Sequence, residues 1–211
     1  MPHLFHRPRP LTRCPPLRLT ALRRPAEPAR RRPPGHGRLP GRRGARRPPP
    51  ADGAMQTFLP YPVFAESARV LDRRRLGKQR VEALQVLRGL TVPGYGWRRH
   101  PAVRMWAGYE EALVRYGLDV CRVWREYGHQ DSCAATLVAD LAAHRPGLPV
   151  REQPELAAAG ELPPWLGDEA LHRSHRSALV RKDPDHYADL FPGVPDDLPY
   201  VWPASDREAA P

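Results

Sequence analysis

The densest group of side chains that could do chemistry lies in the segment DRRRLGKQRVE, residues 72–82. Five cations fall within eight residues there, and a carboxylate, Glu82, follows them. A helix N-terminus disfavours cations through its dipole, so the placement indicates an external partner, for which phosphate is the obvious candidate. The competing interpretation is a solvated helix face with an ion pair between Lys78 and Glu82. The cations are Arg73, Arg74, Arg75, Lys78 and Arg80.

Glu82 shares one helical stripe with Arg75 and Gln79, at steps of four and three residues. This spacing puts a single carboxylate beside cations and a neutral amide, at the edge of the apolar face. Such a glutamate is usually structural, but it can also serve as a positioned acid or base.

A second basic cluster, Trp97-Arg98-Arg99-His100, precedes Pro101. A pair of arginines beside a tryptophan can bind phosphate and stack on a nucleobase. The alternative is a surface loop whose Trp97 side chain is buried in the core.

Histidine and cysteine patterns give weak signals for a metal site. His172 and His175 have HxxH spacing, with His186 further along, but no cysteine or paired carboxylate completes a ligand set. Cys121 and Cys133 form neither a CxxC pair nor a disulfide framework, so a reducing compartment is expected. We therefore predict no metal and no cofactor.

The net charge of +11 belongs to residues 1–54 alone. That segment holds 14 arginines and two acids, a charge of +12, whereas the following 157 residues hold 20 bases and 21 acids, a charge of −1. Overall charge therefore says nothing about the partners of the second part. The first part is rich in Arg and Pro and has no long apolar run, so it is predicted to be a disordered leader.

Three interpretations of this leader compete. Translation starts at Met55 and the upstream stretch is an over-extended reading frame, which is the interpretation we favour; or the leader is a basic arm that binds nucleic acid; or it is a transit peptide. Its composition is poor in Ser and too rich in Pro for the amphipathic helix of a transit peptide. The predicted organisation is a leader at 1–54, a domain at 55–203 and a short tail at 204–211.

The elements that must position these residues are predicted to be helices. Asp72 is a plausible N-cap for a helix to about Leu90, and a long apolar stripe from Pro101 predicts a central helix to Gly128, kinked or interrupted at Gly117. Two further helices are predicted, one starting at Asp131 or Ser132 and one over 168–182, with a Pro-rich loop at 146–166 between them. With no convincing strand, the fold class is all-α: a small single-domain helical bundle with a long central helix.

Five short motifs, in this order and spacing, resemble the pyrimidine-dimer DNA glycosylase family of the endonuclease V type, and in particular its actinobacterial branch. They span roughly the whole chain after Met55. The motifs are MQTFLPYP, LDRRRLGKQRVEALQ, WRRHPAVRMW, HRSHRSALVRKDPDHY and the closing PYVWP.

The resemblance implies a compact all-α domain that cuts the glycosyl bond of a damaged pyrimidine with its own N-terminal amine. A Schiff base with the sugar forms, and β-elimination can then nick the strand. The family's essential helix carboxylate falls on Glu82, and its basic phosphate contacts include the positions of Arg181 and Lys182. In the family, the nucleophilic amine is exposed when the initiator Met is removed from in front of a small residue. Here Met55 precedes Gln56, and a residue of that size normally blocks the removal. The candidate amine is therefore at Met55 or Gln56.

The resulting prediction is a base-excision repair glycosylase and AP lyase that acts on double-stranded DNA as a cytoplasmic, nucleoid-associated monomer without a membrane segment. The main alternative is a non-catalytic nucleic-acid-binding protein on the same fold. An enzyme that uses the cleft at Glu82 for another small substrate is a third possibility. The predicted DNA-binding residues are the five cations of 73–80 with Arg98, Arg99, His100, Arg181 and Lys182.

Overall fold

The computed structural model describes residues 55–147 and 149–207. The leader predicted for 1–54 lies outside the described residues. The described part of the chain is helical and contains no strand, which confirms the all-α prediction. Its helices are α1 (Phe64–Arg69), α2 (Arg73–Thr91), α3 (Pro101–Arg104), α4 (Glu110–Glu126), α5 (Cys133–His144), α6 (Gln153–Ala158), α7 (Glu169–Lys182) and α8 (Pro184–Tyr187).

Helix α2 begins and ends where its sequence predicts. The Asp72 carboxylate caps it by accepting hydrogen bonds from the backbone N–H groups of Arg74 and Arg75. Val92 leaves helical geometry just before Pro93, a residue that cannot donate a backbone hydrogen bond. The buried side of α2 packs against α3, α4 and α5, and Gln79 of the same helix hydrogen-bonds to residues 56 and 58.

The predicted central helix is divided at a different place from the one expected. The break lies at residues 105–109, between α3 and α4, where Gly108 has a φ of 76° that favours glycine. The Glu110 side chain accepts a hydrogen bond from the Gly108 N–H group, which stabilises this turn. Gly117 lies inside an unbroken α4 instead, so its role is packing and not bending.

Gly117 is a point at which α4 lies close to both α2 and α5. A Cβ atom at this position would lie 3.1 Å from the Ala83 Cβ of α2 and 2.7 Å from a terminal carbon of Leu137 of α5. The absence of a side chain therefore allows three helices to meet over the buried face of α2.

The other two long helices follow their predicted caps. The Asp131 carboxylate accepts hydrogen bonds from the first backbone N–H groups of α5, and Asp168 caps α7. The short helices α1, α6 and α8 were not predicted, and α6 lies within the segment assigned as a Pro-rich loop. Each has only four or six residues, too few for helical periodicity to appear in the sequence.

The core of the domain is aromatic. Phe64, Trp106 and Tyr116 are fully buried, with ring centroids 5.7–6.2 Å apart, and Trp165 meets the Trp106 ring edge-on at 4.9 Å. The described residues after 203 also pack on the domain, since the Asp206 carboxylate accepts a 2.6 Å hydrogen bond from the Tyr109 hydroxyl. Within the described residues no helix has the length and hydropathy needed to cross a membrane.

We expect Gly117→Ala to lower the free energy of unfolding by about 1–3 kcal/mol, because the added methyl group overpacks the junction of α2, α4 and α5. Urea denaturation measures the change. Gly96→Ala is the control, since a Cβ atom there meets nothing within 4 Å. Equal stability of the Gly117 variant and the wild type would contradict this account.

Candidate functional site

A cavity of about 330 Å³ lies where the start of α2, the end of α7 and the N-terminal segment meet. Cations dominate its lining, and Glu82 is the carboxylate among the lining residues. The fold thus brings together residues from three of the predicted motifs. The lining consists of Gln56, Phe58, Arg74, Arg75, Lys78, Glu82, Arg181 and Lys182.

The Glu82 side chain is buried, with only 4% of its surface exposed. Burial disfavours the charged carboxylate and raises the pKa of Glu82 above its ordinary value. The Lys78 ammonium, 3.0 Å from Oε1, opposes this rise, as do the Gln56 backbone amide and the charge of Lys182. The result is a carboxyl group that holds a proton more readily than an exposed glutamate does, in a cationic setting.

Gln79 connects this carboxylate to the N-terminal segment. Its Nε2 donates to Glu82 Oε2 and, at 2.9 Å, to the backbone carbonyl of Gln56. Its Oε1 accepts from the Phe58 N–H group at 2.8 Å and from the Tyr116 hydroxyl at 2.7 Å. All the hydrogen-bonding capacity of one buried amide is therefore used to hold the acid next to residues 56–58.

The N-terminal segment, residues 55–59, has no regular secondary structure and is nevertheless buried. Met55 is 3% exposed and Gln56 is 4% exposed. The Gln56 side chain accepts from the Thr57 N–H group through Oε1, while its Nε2 is buried and has no hydrogen-bond partner among the described residues. A buried amide that lacks a partner beside a polar cavity marks a place where a ligand could accept a hydrogen bond.

Two histidines of α7 hold the other end of this segment. His175 Nδ1 accepts from the Leu59 N–H group at 2.9 Å, and His172 Nδ1 lies 2.7 Å from the Leu59 carbonyl. The Gly167 N–H group donates to His172 Nε2, so His172 carries its proton on Nδ1 and donates it to Leu59. Each imidazole thus has one nitrogen without a proton; His175 binds the N–H group of Leu59 and His172 binds its carbonyl group.

The predicted cations divide into two groups. Arg75 is committed to structure: it pairs with Asp72 and Asp183 and donates to the Lys182 carbonyl, although it lines the cavity. Arg80 is also committed, with its guanidinium 2.6 Å from Asp131 and 4.3 Å from the centre of the Trp124 ring. Both side chains are largely buried, so neither residue belongs to a solvated helix face.

The remaining cations of this region are more accessible. Arg73 and Arg74 are exposed, and their side chains have no ion pair with another described residue. Lys78 is 58% exposed in spite of its bond to Glu82. Arg181 donates to the carbonyls of Asp196 and Leu198, and its guanidinium lies 5.9 Å from the centre of the Tyr200 ring.

The second predicted cluster lies away from the cavity. Trp97, Arg98 and Arg99 are exposed, and none of them lines the cavity at Glu82. His100 caps α3 through Nδ1, which accepts from the Ala102 N–H group, and burial lowers the pKa of this histidine. No group of three or more His, Cys, Asp or Glu side chains among the described residues could hold a metal ion.

Sequence reasoning missed the residues that support the site. His172 and His175 were considered as metal ligands, and Tyr116 only as part of an apolar stripe, yet all three bond the N-terminal segment. The signal available in the sequence was the presence of polar residues on helix faces that are otherwise apolar, which indicates a buried hydrogen-bond partner. Periodicity alone does not identify the partner, because that partner lies more than 50 residues away in the chain.

Residues 55–137 match the family model described as pyrimidine dimer DNA glycosylase, which confirms the resemblance over this part of the chain. The match indicates a function in DNA repair. Neither the curated proteins nor the solved structures contain a significant match. The matched range includes α2 with Glu82 and the second basic cluster, and it ends within α5 before the cations of α7.

We expect stability to fall in acid because of His175. Burial, with a smaller contribution from nearby His172, lowers the pKa of His175 from 6.5 to about 3. Below pH 6.5 the unfolded state binds a proton that the folded state does not, so the free energy of unfolding declines from pH 6.5 towards pH 3, by about 1 kcal/mol per pH unit.

Urea denaturation across this pH range measures the decline. His175→Asn is the comparison, because its Oδ1 can accept from the Leu59 N–H group but cannot be protonated in this range. The variant should show a shallower pH dependence than the wild type. Identical slopes would exclude His175 as the source.

Proposed function

We propose that the protein is a DNA repair glycosylase and AP lyase that acts on damaged pyrimidines, including pyrimidine dimers, in double-stranded DNA. The observation that carries the proposal is the buried Glu82 carboxylate, which sits in a cationic cavity against the start of the N-terminal segment. The family match over residues 55–137 supports the same reaction class.

The proposed nucleophile is an α-amine at Met55 or Gln56. An α-amine has a pKa near 8, so a substantial fraction is neutral and nucleophilic at physiological pH, and nearby cations lower its pKa further. The backbone nitrogen of Gln56 interacts with the Glu82 carboxylate. An α-amine at Gln56 would therefore contact the Glu82 carboxylate directly, whereas an α-amine at Met55 would lie one residue further along the chain.

The reaction begins with attack of the neutral amine on C1′ of the damaged nucleotide. The bond from C1′ to the base nitrogen breaks, and its electron pair leaves with the base, which takes up a proton. The amine loses its proton and the C1′–O4′ bond opens, so O4′ becomes a hydroxyl group and a protonated imine links the sugar to the protein. Removal of a proton from C2′ then expels the 3′ phosphate by β-elimination, and water hydrolyses the imine to release the enzyme.

Glu82 is the proposed proton carrier and electrostatic partner in these steps. As a carboxylate it accepts the proton of the attacking amine and stabilises the cationic imine. Its raised pKa makes the protonated form accessible nearer to neutral pH, which suits proton return to the leaving base. Gln79 holds the carboxylate in place, so its role is positioning.

The cations around the cavity are proposed to bind the phosphates that flank the lesion. Arg74, Lys78, Arg181 and Lys182 line the cavity mouth, at the ends of two different helices. Because residues 55–211 carry a charge of −1, attraction to DNA must come from such local groups. Arg75 and Arg80 are assigned to structure, since each already has an acidic partner.

We expect borohydride to trap a covalent adduct between DNA that contains a pyrimidine dimer or abasic site and protein made from Met55. Glu82→Gln should fold normally and lower the trapping rate roughly 10²- to 10⁴-fold, as expected for loss of acid–base catalysis. Denaturing gels and mass spectrometry of the adduct measure the rate and the attached residue. A folded wild type that binds lesion DNA but forms no adduct would favour the non-catalytic alternative.

Gln56→Thr separates the two amine positions. A small residue after Met55 permits removal of the methionine, so this variant presents its amine at position 56, next to Glu82. If the amine belongs at position 56, the variant should form more adduct than the Met55-start wild type. If the amine of Met55 itself reacts, the variant should form less, and the wild-type adduct should map to Met55.

Lys78→Met should move the acidic limb of the pH–rate profile to higher pH. Lys78 lowers the pKa of Glu82, so its removal lets the pKa rise further, and the reactive carboxylate is then lost at a higher pH as the solution is acidified. Single-turnover rates on abasic DNA between pH 4 and 9 measure the shift. Lys78→Arg retains the charge and serves as the control; an unmoved limb in Lys78→Met would contradict the role given to Glu82.

A further inference from the structure

An exposed aromatic and basic surface lies outside the cavity, around the turn that follows α2. We define the Trp97 surface as Trp97, Arg98, Arg99 and Arg104. Trp97 is 44% exposed and its ring contacts His100 edge-on, with centroids 5.5 Å apart. The three arginines are exposed, and their side chains form no hydrogen bond or ion pair with another described residue.

The charge of this surface is not compensated locally. From residue 89 to residue 109 the sequence contains three arginines, all of them in the Trp97 surface, and no Asp or Glu. Residues 55–211 as a whole carry a charge of −1, and many of the other charges in the described part of the chain are paired, as those of Arg80 and Arg115 are. An anionic partner would offset the repulsion among these arginines, and a polyanion could contact several of them at once.

Trp97 differs from the other partly exposed tryptophan of the basic region. The Trp124 ring is covered by the Arg80 guanidinium at 4.3 Å and by the His129 ring at 4.0 Å, and it closes over Gly77. Trp97 has only an edge contact with His100 among its described ring neighbours. Its indole is therefore available for stacking, whereas that of Trp124 is already used.

A line of rings joins the Trp97 surface to the cavity. Trp202 lies 6.0 Å from His100 and 5.3 Å from Tyr200, and the Arg181 guanidinium, which lines the cavity, lies 5.9 Å from the Tyr200 ring. The path from Trp97 to Arg181 is therefore at most about 23 Å, which one DNA strand covers in about seven nucleotides at 3.4 Å each.

We propose that the Trp97 surface is a second DNA contact, at which Trp97 stacks on a base at an opened step within about seven nucleotides of the lesion. Arg98 and Arg99 bind the phosphates beside that step. The inference rests on the proposed function for the position of the lesion, but it concerns a different surface. Access to a damaged base within a duplex requires bending or unstacking, and an aromatic ring offers an unstacked base a partner.

The test uses a duplex with one tetrahydrofuran abasic analogue, which binds but is not cleaved, and 2-aminopurine placed at successive positions on either side. The wild type should change the probe's fluorescence at one step within about seven nucleotides of the analogue. Trp97→Ala should abolish that change and weaken binding roughly tenfold, whereas Trp97→Phe should retain most of both. Circular dichroism establishes that the variants are folded.

The arginines are tested by salt dependence. The double variant Arg98→Ser, Arg99→Ser should reduce the slope of log affinity against log salt by about 2, as expected for two lost phosphate contacts. Arg145→Ser is the matched control, because Arg145 is exposed but lies beside Glu111 in another groove. An unchanged slope in the double variant, or an unchanged probe signal in Trp97→Ala, would overturn the inference.

The same proteins separate this inference from the proposed function. Borohydride trapping of the wild type on abasic DNA tests the cavity separately, because the residues of the Trp97 surface do not line it. If the wild type forms an adduct and Trp97→Ala binds as well as the wild type does, only the Trp97 surface is refuted. If the wild type binds DNA through Trp97 but forms no adduct, the catalytic proposal is refuted and the DNA contact stands.

Discussion

The domain depends on the burial of a segment whose backbone belongs to no helix or strand. Residues 55–59 lie in the core, and each buried backbone N–H or carbonyl group without a partner would cost free energy comparable to a lost hydrogen bond. Side chains from three helices supply these partners: Gln79 from α2, Tyr116 from α4, and His172 with His175 from α7. The same bonds therefore hold the segment and fasten the helices to one another.

This arrangement links the fold to the candidate chemistry. The residue that satisfies the Gln56 carbonyl and the Phe58 amide also holds the Glu82 carboxylate, so the acid and the segment share one anchor. A shift of α2 would move both together. The relative position of a carboxylate and a main-chain nitrogen is thereby fixed by a buried amide, which has no freedom to exchange its partners with water.

Much of the helical framework could be predicted, because caps and periodicity are local. Asp72, Asp168 and Gly128 act where their types indicate, and the stripe of Arg75, Gln79 and Glu82 places the carboxylate correctly beside cations. The division of the central helix was assigned to the wrong glycine, since the sequence does not distinguish a glycine required by backbone geometry from one required by close packing.

The contacts that complete the site could not be predicted in the same way. They join residues that lie 21 to 116 positions apart, and a histidine that accepts a backbone N–H has no sequence pattern of its own. Arg80, a cation predicted to bind DNA, pairs with Asp131, and this contact likewise depends on how α5 packs against α2. The family match ends before α7 and therefore does not include its histidines.

Arg75 lines the cavity and links the two helices beside it, α2 and α7. Its guanidinium bonds to Asp72 at the start of α2 and to both Asp183 and the Lys182 carbonyl at the end of α7. A cation at the C-terminal end of α7 is also favourable, because it compensates the negative end of the helix dipole. The cavity mouth is thus held at a set width and cannot open by separation of these helices without loss of a half-buried network. If DNA binds here as proposed, the duplex rather than the protein would have to deform, which favours damaged DNA because its base pairs open at a lower cost.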